Sequence, residues 1–89
     1  MPRYSVILSK RAFKFLDDLD EKTRRRVIED LNGLTNYSFY DKSLDVCKLK
    51  GQKDYYRLRT GKIRIIFMLD KNAQTISVRK IAYRESAYE

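Results

Sequence analysis

The apolar positions of the chain follow two different periods, which divide the sequence into helical and extended parts. Residues 4–8 alternate with a period of two, which predicts a short first strand. Ser9 and Asp20 are suitable N-caps for two consecutive helices after it. The apolar residues in that region recur at helical spacing, and they are Ala12, Phe15, Leu16, Leu19, Val27, Ile28, Leu31 and Leu34.

After the predicted helices the pattern returns to that of an extended chain. Residues 35–44 have no clear period and are interpreted as a connecting loop. Four short strand candidates follow at residues 46–51, 55–59, 62–69 and 75–82. Residues 63–69 are apolar at nearly every position, which is typical of a central strand covered on both faces. The order β-α-α-β-β-β-β predicts a single α+β domain over residues 1–89, with two N-terminal helices on one face of a small, mostly antiparallel sheet.

One predicted hairpin concentrates positive charge. The stretch DYYRLRTGKIRIIF, residues 54–67, has the pattern of two strands joined by a two-residue Thr-Gly turn. Such a turn places Arg59 opposite Lys62, and on the same face it places Arg57 opposite Arg64. Like charges in direct opposition destabilise a sheet by up to about 1 kcal/mol per pair, so four cations on one face are not expected of a purely structural hairpin. The other face carries the apolar pairs Leu58 with Ile63 and Tyr56 with Ile65.

Composition narrows the choice of partner. The chain has 20 Lys and Arg against 12 Asp and Glu, no His, and a net charge of +8. So positive a surface favours a polyanion, with nucleic acid before an acidic protein and an anionic membrane last. The start MPRYSVILSKR has too short an apolar run for a signal peptide, and no stretch is long enough to span a membrane, so we expect a cytoplasmic protein without membrane attachment. Cys47 is expected to be a buried small hydrophobe.

The cationic face admits two interpretations. In the functional one, arginine forks match phosphate oxygens, and clustered cations stabilise charge that builds on phosphorus. In the structural one, solvated Lys and Arg discourage a sheet edge from pairing with other chains. We favour the functional interpretation because neighbouring strands add further cations without compensating acids, namely Lys48, Lys50, Arg79 and Lys80.

Other candidate chemistry is sparse. The chain has no phosphate-cradling glycine loop, Ser-His-Asp set or zinc pattern, so neither a metal nor a cofactor is expected. The carboxylates of residues 17–21 are explained by a helix end followed by a cap. The TRRR segment at residues 23–26 is either an accessory nucleic-acid contact or ordinary solvated charge. Tyr88 lies four residues after Arg84, and this spacing fits a site residue as well as a C-terminal anchor.

Three segments carry a resemblance to a known family. They are KLKG at residues 48–51, YYRLRTGKIRIIF at residues 55–67 and IAYRESAY at residues 81–88. As a set, and together with the β-α-α start, they resemble the RelE toxins of the RelE/ParE superfamily of toxin–antitoxin systems. The resemblance implies a RelE-like fold of the microbial ribonuclease type. It also implies a ribosome-dependent, metal-independent endoribonuclease that cleaves translated mRNA in the A site and inhibits translation.

The resemblance also implies site residues and partners. RelE-like toxins carry two basic residues on the strand after a Leu-x-Gly motif, an arginine on the next strand, an arginine near the end and a C-terminal tyrosine. The matching catalytic candidates here are Arg57, Arg59, Arg64, Arg84 and Tyr88. Candidates for binding RNA or the ribosome are Lys48, Lys50, Lys62 and Arg79. The implied partners are the ribosome with its mRNA and an acidic, amphipathic RelB-like antitoxin, which turns a monomeric toxin into a hetero-oligomer.

The expected reaction is attack of a ribose 2′-OH on the adjacent phosphate. Arginine is always protonated, so it can stabilise charge but is a poor base. Tyr88, with a phenol made more acidic by surrounding cations, is the favoured proton acceptor, and Lys62 or Lys50 is the candidate proton donor. The best-known RelE toxins carry Lys where this chain has Arg57 and Arg59, which retains phosphate binding but puts proton transfer at those positions in doubt.

Two other functions remain open from the sequence. A ParE-like toxin would bind DNA gyrase without cutting RNA, although such toxins lack the clustered basic residues and the terminal Tyr. A catalytically inactive, basic RNA-binding module would show RNA affinity without cleavage.

Overall fold

The structure, a computed structural model, describes residues 4–35 and 44–84. Its elements follow one another in the predicted order. They are β1 (Ser5–Leu8), α1 (Lys10–Asp17), α2 (Glu21–Leu34), β2 (Asp45–Lys48), β3 (Tyr55–Thr60), β4 (Ile63–Asp70) and β5 (Thr75–Tyr83). Most of the predicted loop at residues 35–44 lies outside the described residues.

Both helices begin at the predicted caps. The Oγ of Ser9 accepts a hydrogen bond from the backbone N–H of Ala12 at 3.1 Å, which starts α1. The Oδ2 of Asp20 accepts one from the N–H of Thr23 at 3.1 Å, which starts α2. Hydrogen bonds from the hydroxyl and the backbone N–H of Thr23 lower the pKa of the Asp20 carboxyl. The two N-cap predictions are therefore confirmed.

The five strands form one sheet in the order β1-β5-β4-β3-β2. Strand β1 runs parallel to β5 and the other three pairings are antiparallel, as the prediction of a mostly antiparallel sheet requires. Strand β4 is central, which was also predicted. Its second face was expected to be covered too, but in the described part of the chain both helices pack on one face, and Ile66 and Met68 on the other are half-buried.

The core lies between the helices and one face of the sheet. The helical region contributes Ala12, Leu16, Leu19, Val27, Leu31 and Leu34. The sheet contributes Leu58, Ile63, Ile65, Phe67, Leu69, Ile76, Val78 and Ile81. Of the predicted helical stripe, Ile28 is exposed, and Phe15 is half-buried with its ring edge against Tyr83 at a centroid distance of 5.5 Å. Apolar burial in the described part of the chain is thus concentrated on the helix side of the sheet, and neither described helix covers the other side.

The β3–β4 hairpin turns one residue later than predicted. Thr60 lies opposite Ile63, so Gly61 and Lys62 form the two-residue turn. Gly61 has φ +61°, which a type II′ turn requires at its first central residue. The predicted turn has Gly61 as its second residue, because Thr-Gly and Gly-Lys are both acceptable from composition alone.

This register corrects the predicted cross-strand pairs. Arg59 lies opposite Arg64, and Arg57 lies opposite Ile66. The apolar pairs are Leu58 with Ile65 and Tyr56 with Phe67, whose rings stack at a centroid distance of 5.7 Å. The error displaces β4 by two residues, and side chains alternate with a period of two, so the faces assigned to the strand residues are unchanged.

Candidate functional site

Three arginines share the open face of the sheet. Arg57, Arg59 and Arg64 alternate along β3 and β4 with Leu58, Ile63 and Ile65, which are fully buried against the helices. Alternation therefore directs the three guanidinium groups to the face opposite the helices, as predicted. This surface is called the arginine face below. Tyr55 also belongs to this side of the sheet, where it lies opposite Met68.

A carboxylate lies beside two of these arginines. The Nε of Arg59 donates a hydrogen bond to the Oδ2 of Asp45 at 3.0 Å, and the Nη2 of Arg57 is 3.6 Å from the Oδ1. Strand register produces the arrangement, because Asp45 lies directly across from Arg59, which in turn lies across from Arg64. The carboxylate offsets the repulsion between the paired cations. The prediction that no acid compensates the cluster is wrong.

The arginines differ in accessibility. Arg64 is buried, with 7% of its surface exposed, so it lies at the floor of the arginine face. The side chains of Arg57 and Arg59 are 16% and 31% exposed, and Asp45 is 52% exposed. A ligand approaching this face therefore meets Arg59 and Asp45 first.

An open cleft of about 520 Å³ adjoins the arginine face at the β3–β4 turn. Its polar lining consists of Arg26, Asp30, Asp45, Arg59 and Arg84, with Gly61 at the turn. This space is called the turn cleft below. The backbone N–H of Arg84 donates to the carbonyl of Lys62 at 2.9 Å, which fixes the chain after β5 beside the turn. The structure thus brings two predicted site residues, Arg59 and Arg84, to one cleft.

The four lysine and arginine candidates for RNA binding are more scattered. Lys62 is exposed in the hairpin turn, beside the turn cleft. Lys48 lies across from Tyr56 and therefore on the helix side of the sheet, while Lys50 lies beyond the end of β2, at the far end of β3 from the turn. Arg79 is exposed and has no partner on β4, because a bulge shifts the register between Ile66 and Phe67. Only Lys62 is near Arg59 and Arg84.

Three further expectations concern single residues. Cys47 is exposed rather than buried, because it lies on the edge strand β2, opposite Arg57 on the open face. Tyr88 lies outside the described residues, so its predicted role as proton acceptor stays a prediction. Lys80 lies across from Ile66 and therefore belongs to the open face.

Sequence reasoning missed Asp45 and did not single out Arg26 from its neighbours in TRRR. In LDVCK, the alternation of Asp45 and Cys47 with Val46 indicates that Asp45 and Cys47 lie on one face of a strand. That Asp45 then lies beside Arg59 depends on how β2 pairs with β3, which the sequence does not show. The signal for Arg26 depends on how α2 packs near the hairpin turn, which the sequence does not reveal.

The described residues contain neither a grouping of metal ligands nor a membrane-spanning helix. Within residues 4–35 and 44–84, no three His, Cys, Asp or Glu side chains are grouped closely enough to hold a metal ion. Among the described helices, neither is long and apolar enough to cross a membrane.

The arrangement is suited to holding a polyanion. Guanidinium groups keep their charge at any working pH and offer paired donors to phosphate oxygens. They also stabilise negative charge that develops on a phosphate during displacement. A permanently protonated group is a poor general base, so proton abstraction would need another residue.

Comparison with known proteins agrees with this picture. A family model described as the ParE toxin of type II toxin-antitoxin system, parDE, matches residues 6–88. A protein of Methanocaldococcus jannaschii named putative toxin RelE1 is 31% identical over 87 residues, which cover 98% of this chain and 97% of that protein. Toxin RelE3 of the same organism is 33% identical, with 94% of each protein covered.

A solved structure matches over a similar length. It is the crystal structure of the archaeal RelE–RelB complex from Pyrococcus horikoshii OT3, with a TM-score of 0.80 and 30% sequence identity. The match covers 94% of this chain and 97% of the other. The expected RelE-like fold, with two helices on a five-stranded sheet, is confirmed.

Proposed function

The chain belongs to the RelE/ParE family of toxins of type II toxin–antitoxin systems, and on that basis we propose that it is a ribosome-dependent endoribonuclease. It cleaves translated mRNA in the A site without a metal ion, and it thereby inhibits translation. The observation that carries the proposal is the convergence of Arg57, Arg59 and Arg64 on the open face of the sheet, with Arg84 at the adjoining turn.

The proposed reaction is a transesterification within the RNA. The 2′-oxygen of a ribose forms a bond to the adjacent phosphorus while the bond from phosphorus to the 5′-oxygen of the next nucleotide breaks. The products are a 2′,3′-cyclic phosphate and a free 5′-OH. The arginines bind the phosphate and stabilise its developing charge.

Two protons move in this reaction. The phenolate form of Tyr88 takes the proton of the 2′-OH and becomes a neutral phenol, and a lysine ammonium supplies a proton to the departing 5′-oxygen and becomes a neutral amine. Lys62 is a better donor candidate than Lys50, because Lys62 is held beside Arg84 at the turn whereas Lys50 lies beyond the opposite end of β3. With arginine at positions 57 and 59, phosphate binding is strong but no proton is exchanged there, so positioning of the mRNA by the ribosome supplies much of the rate enhancement.

The second proposed partner is an antitoxin. The similar protein from Pyrococcus horikoshii was crystallised as a RelE–RelB complex. A RelB-like antitoxin with an acidic, amphipathic segment would neutralise this chain's arginine face and form a hetero-oligomer with an otherwise monomeric toxin. Because the attraction is partly electrostatic, its affinity should fall as salt rises.

A second candidate function comes from the family model, whose description names ParE toxins. In that case the protein would act on DNA gyrase and leave RNA intact. The three clustered arginines favour the nuclease, because binding a protein target does not call for like charges paired across two strands.

The deciding experiment maps new 5′ ends of mRNA by primer extension after induction of the protein in cells. Cuts in frame within translated codons are expected for the wild type, and they should be absent from Arg59→Ala and Tyr88→Phe. Arg25→Ala is the matched control, because Arg25 pairs with Glu21 on an exposed helix surface at 2.9 Å. Growth arrest without cuts, together with inhibited gyrase supercoiling in vitro, would refute the nuclease and support the gyrase function.

A further inference from the structure

The three arginines of the TRRR segment have three different environments. Arg24 donates from Nη1 to the backbone carbonyls of Leu19 at 3.1 Å and Asp17 at 3.3 Å, so it ties α2 to the end of α1. Arg25 forms an ion pair with Glu21 one helical turn away, and both side chains are about three-quarters exposed. These two arginines are explained by the local structure of the helices.

Arg26 instead extends toward the sheet. Its guanidinium Nη1, Cζ and Nε atoms lie 3.7, 3.8 and 4.0 Å from the position that a Cβ on Gly61 would occupy. The guanidinium group therefore rests against the turn that joins β3 to β4. Within residues 4–35 and 44–84 it makes no hydrogen bond or ion pair.

Three arginines from three separate elements meet in the turn cleft. Arg26 comes from α2, Arg59 from β3 and Arg84 from the end of β5. Two lining acids, Asp30 and Asp45, reduce the lining charge from +3 to +1, but Asp45 is engaged by Arg59 and Arg57. Asp30 balances only one of the two charges of Arg26 and Arg84, and within residues 4–35 and 44–84 neither side chain makes a hydrogen bond or ion pair, so their donors are available to a ligand.

The size and position of the cleft indicate what that ligand is. A volume of about 520 Å³ lies within the range of small-ligand sites and is large enough for a phosphate with part of its nucleotide. Arg59 belongs to both the cleft and the arginine face, so an RNA strand bound on that face continues directly into the cleft. Planar guanidinium forks from several directions suit tetrahedral phosphate better than they suit an extended peptide.

We propose that the turn cleft binds a second phosphate of the RNA strand, next to the phosphate that is cleaved, and that Arg26 is its main contact outside the sheet. This inference rests on the proposed nuclease function and deepens it, because it gives the site a substrate contact from a helix. Arg26 is a binding residue, so its loss weakens RNA binding more than it slows cleavage of bound RNA.

The test compares Arg26→Ala with Arg25→Ala, which removes the same charge from the adjacent position of the same helix. A labelled, single-stranded RNA is titrated with each variant at several salt concentrations, starting from low salt. Loss of one phosphate contact should reduce the slope of log K against log salt by about 0.7 in Arg26→Ala. Arg25→Ala should keep the wild-type slope, and Arg26→Lys should restore it without restoring full affinity.

Equal slopes for Arg26→Ala and Arg25→Ala would overturn the inference, and so would an absence of RNA binding by the wild type at low salt. In-frame mRNA cuts in cells would then show that the nuclease function survives without the second contact. An Arg26→Ala protein that loses affinity only for its antitoxin would assign the cleft to a protein partner and would also overturn the inference. Thermal unfolding of each variant verifies that the exposed substitutions leave the fold intact.

Discussion

Asp45 should affect stability and RNA affinity in opposite directions, and Asp45→Asn tests this. The carboxylate is 3.0 Å from Arg59 and 3.6 Å from Arg57, and it is about half exposed. Exposed ion pairs contribute roughly 0.2–1 kcal/mol each. The substitution also removes a negative charge from beside Arg59, which lies directly opposite Arg64, and the added repulsion costs a similar amount.

These contributions predict that Asp45→Asn lowers the free energy of unfolding by about 1 kcal/mol. In a domain of this size, that corresponds to a decrease in Tm of roughly 4–8 °C. Urea denaturation at low and high salt measures the effect, which should shrink at high salt because the charges are screened. The control is Glu29→Gln, which makes the same change in net charge at an exposed position of α2.

RNA affinity should change in the other direction. In the wild type, Arg57 and Arg59 must give up their contacts with Asp45 before they can bind a phosphate. Asp45→Asn removes this competition, so RNA should bind about fivefold more tightly, which corresponds to about 1 kcal/mol. General damage to the fold would lower both the free energy of unfolding and the RNA affinity. An Asp45→Asn protein as stable as Glu29→Gln, or one that binds RNA more weakly than the wild type, would refute the reasoning.

Three further predictions concern the scaffold. Gly61→Ala should lose about 1–2 kcal/mol of stability because φ is positive there, whereas the added Cβ makes only ordinary contact with Arg26. Gly51→Ala should lose as much, because φ is +76° and no atom lies near the added Cβ. A much smaller loss at either site in urea denaturation would contradict this. Asp20→Asn keeps a cap but removes a carboxyl whose pKa is lowered in the folded protein. That carboxyl stabilises the fold above about pH 4, and its contribution is lost as the pH falls through the lowered pKa. The stability of Asp20→Asn should therefore fall less steeply in acid than that of the wild type, and an equal slope of stability against pH would refute this. Leu58→Ala should cost about 2–5 kcal/mol in the same urea assay, because the side chain is fully buried, and a loss under about 1 kcal/mol would exclude a core role for Leu58.

The correct sequence predictions rest on short-range chemistry. Ser9 and Asp20 hydrogen-bond to N–H groups three residues away, so their cap roles can be recognised without knowledge of the tertiary structure. The common face of Arg57 and Arg59 follows from alternation within one strand, and it survived an error in the hairpin register.

The incorrect or missing predictions depend on contacts that are distant in sequence. Asp45 meets Arg59 across fourteen positions, and only the pairing of β2 with β3 reveals that contact. Cys47 was judged buried from its apolar neighbours, whereas its exposure follows from the place of β2 at the edge of the sheet. The parallel pairing of β1 with β5 likewise has no local signal.

That parallel pairing constrains when the toxin can become active. Strand β5 lies between β1 and β4 in the sheet, although it follows every other strand in the chain. During synthesis, β1 therefore emerges first but has no neighbour in the sheet until β5 has been made. Arg84, which completes the turn cleft, emerges later still. A ribosome that translates this chain has therefore made every residue from β1 to Arg84 before the cleft can form, which delays assembly of the arginine-lined surface until after β5 has been synthesised.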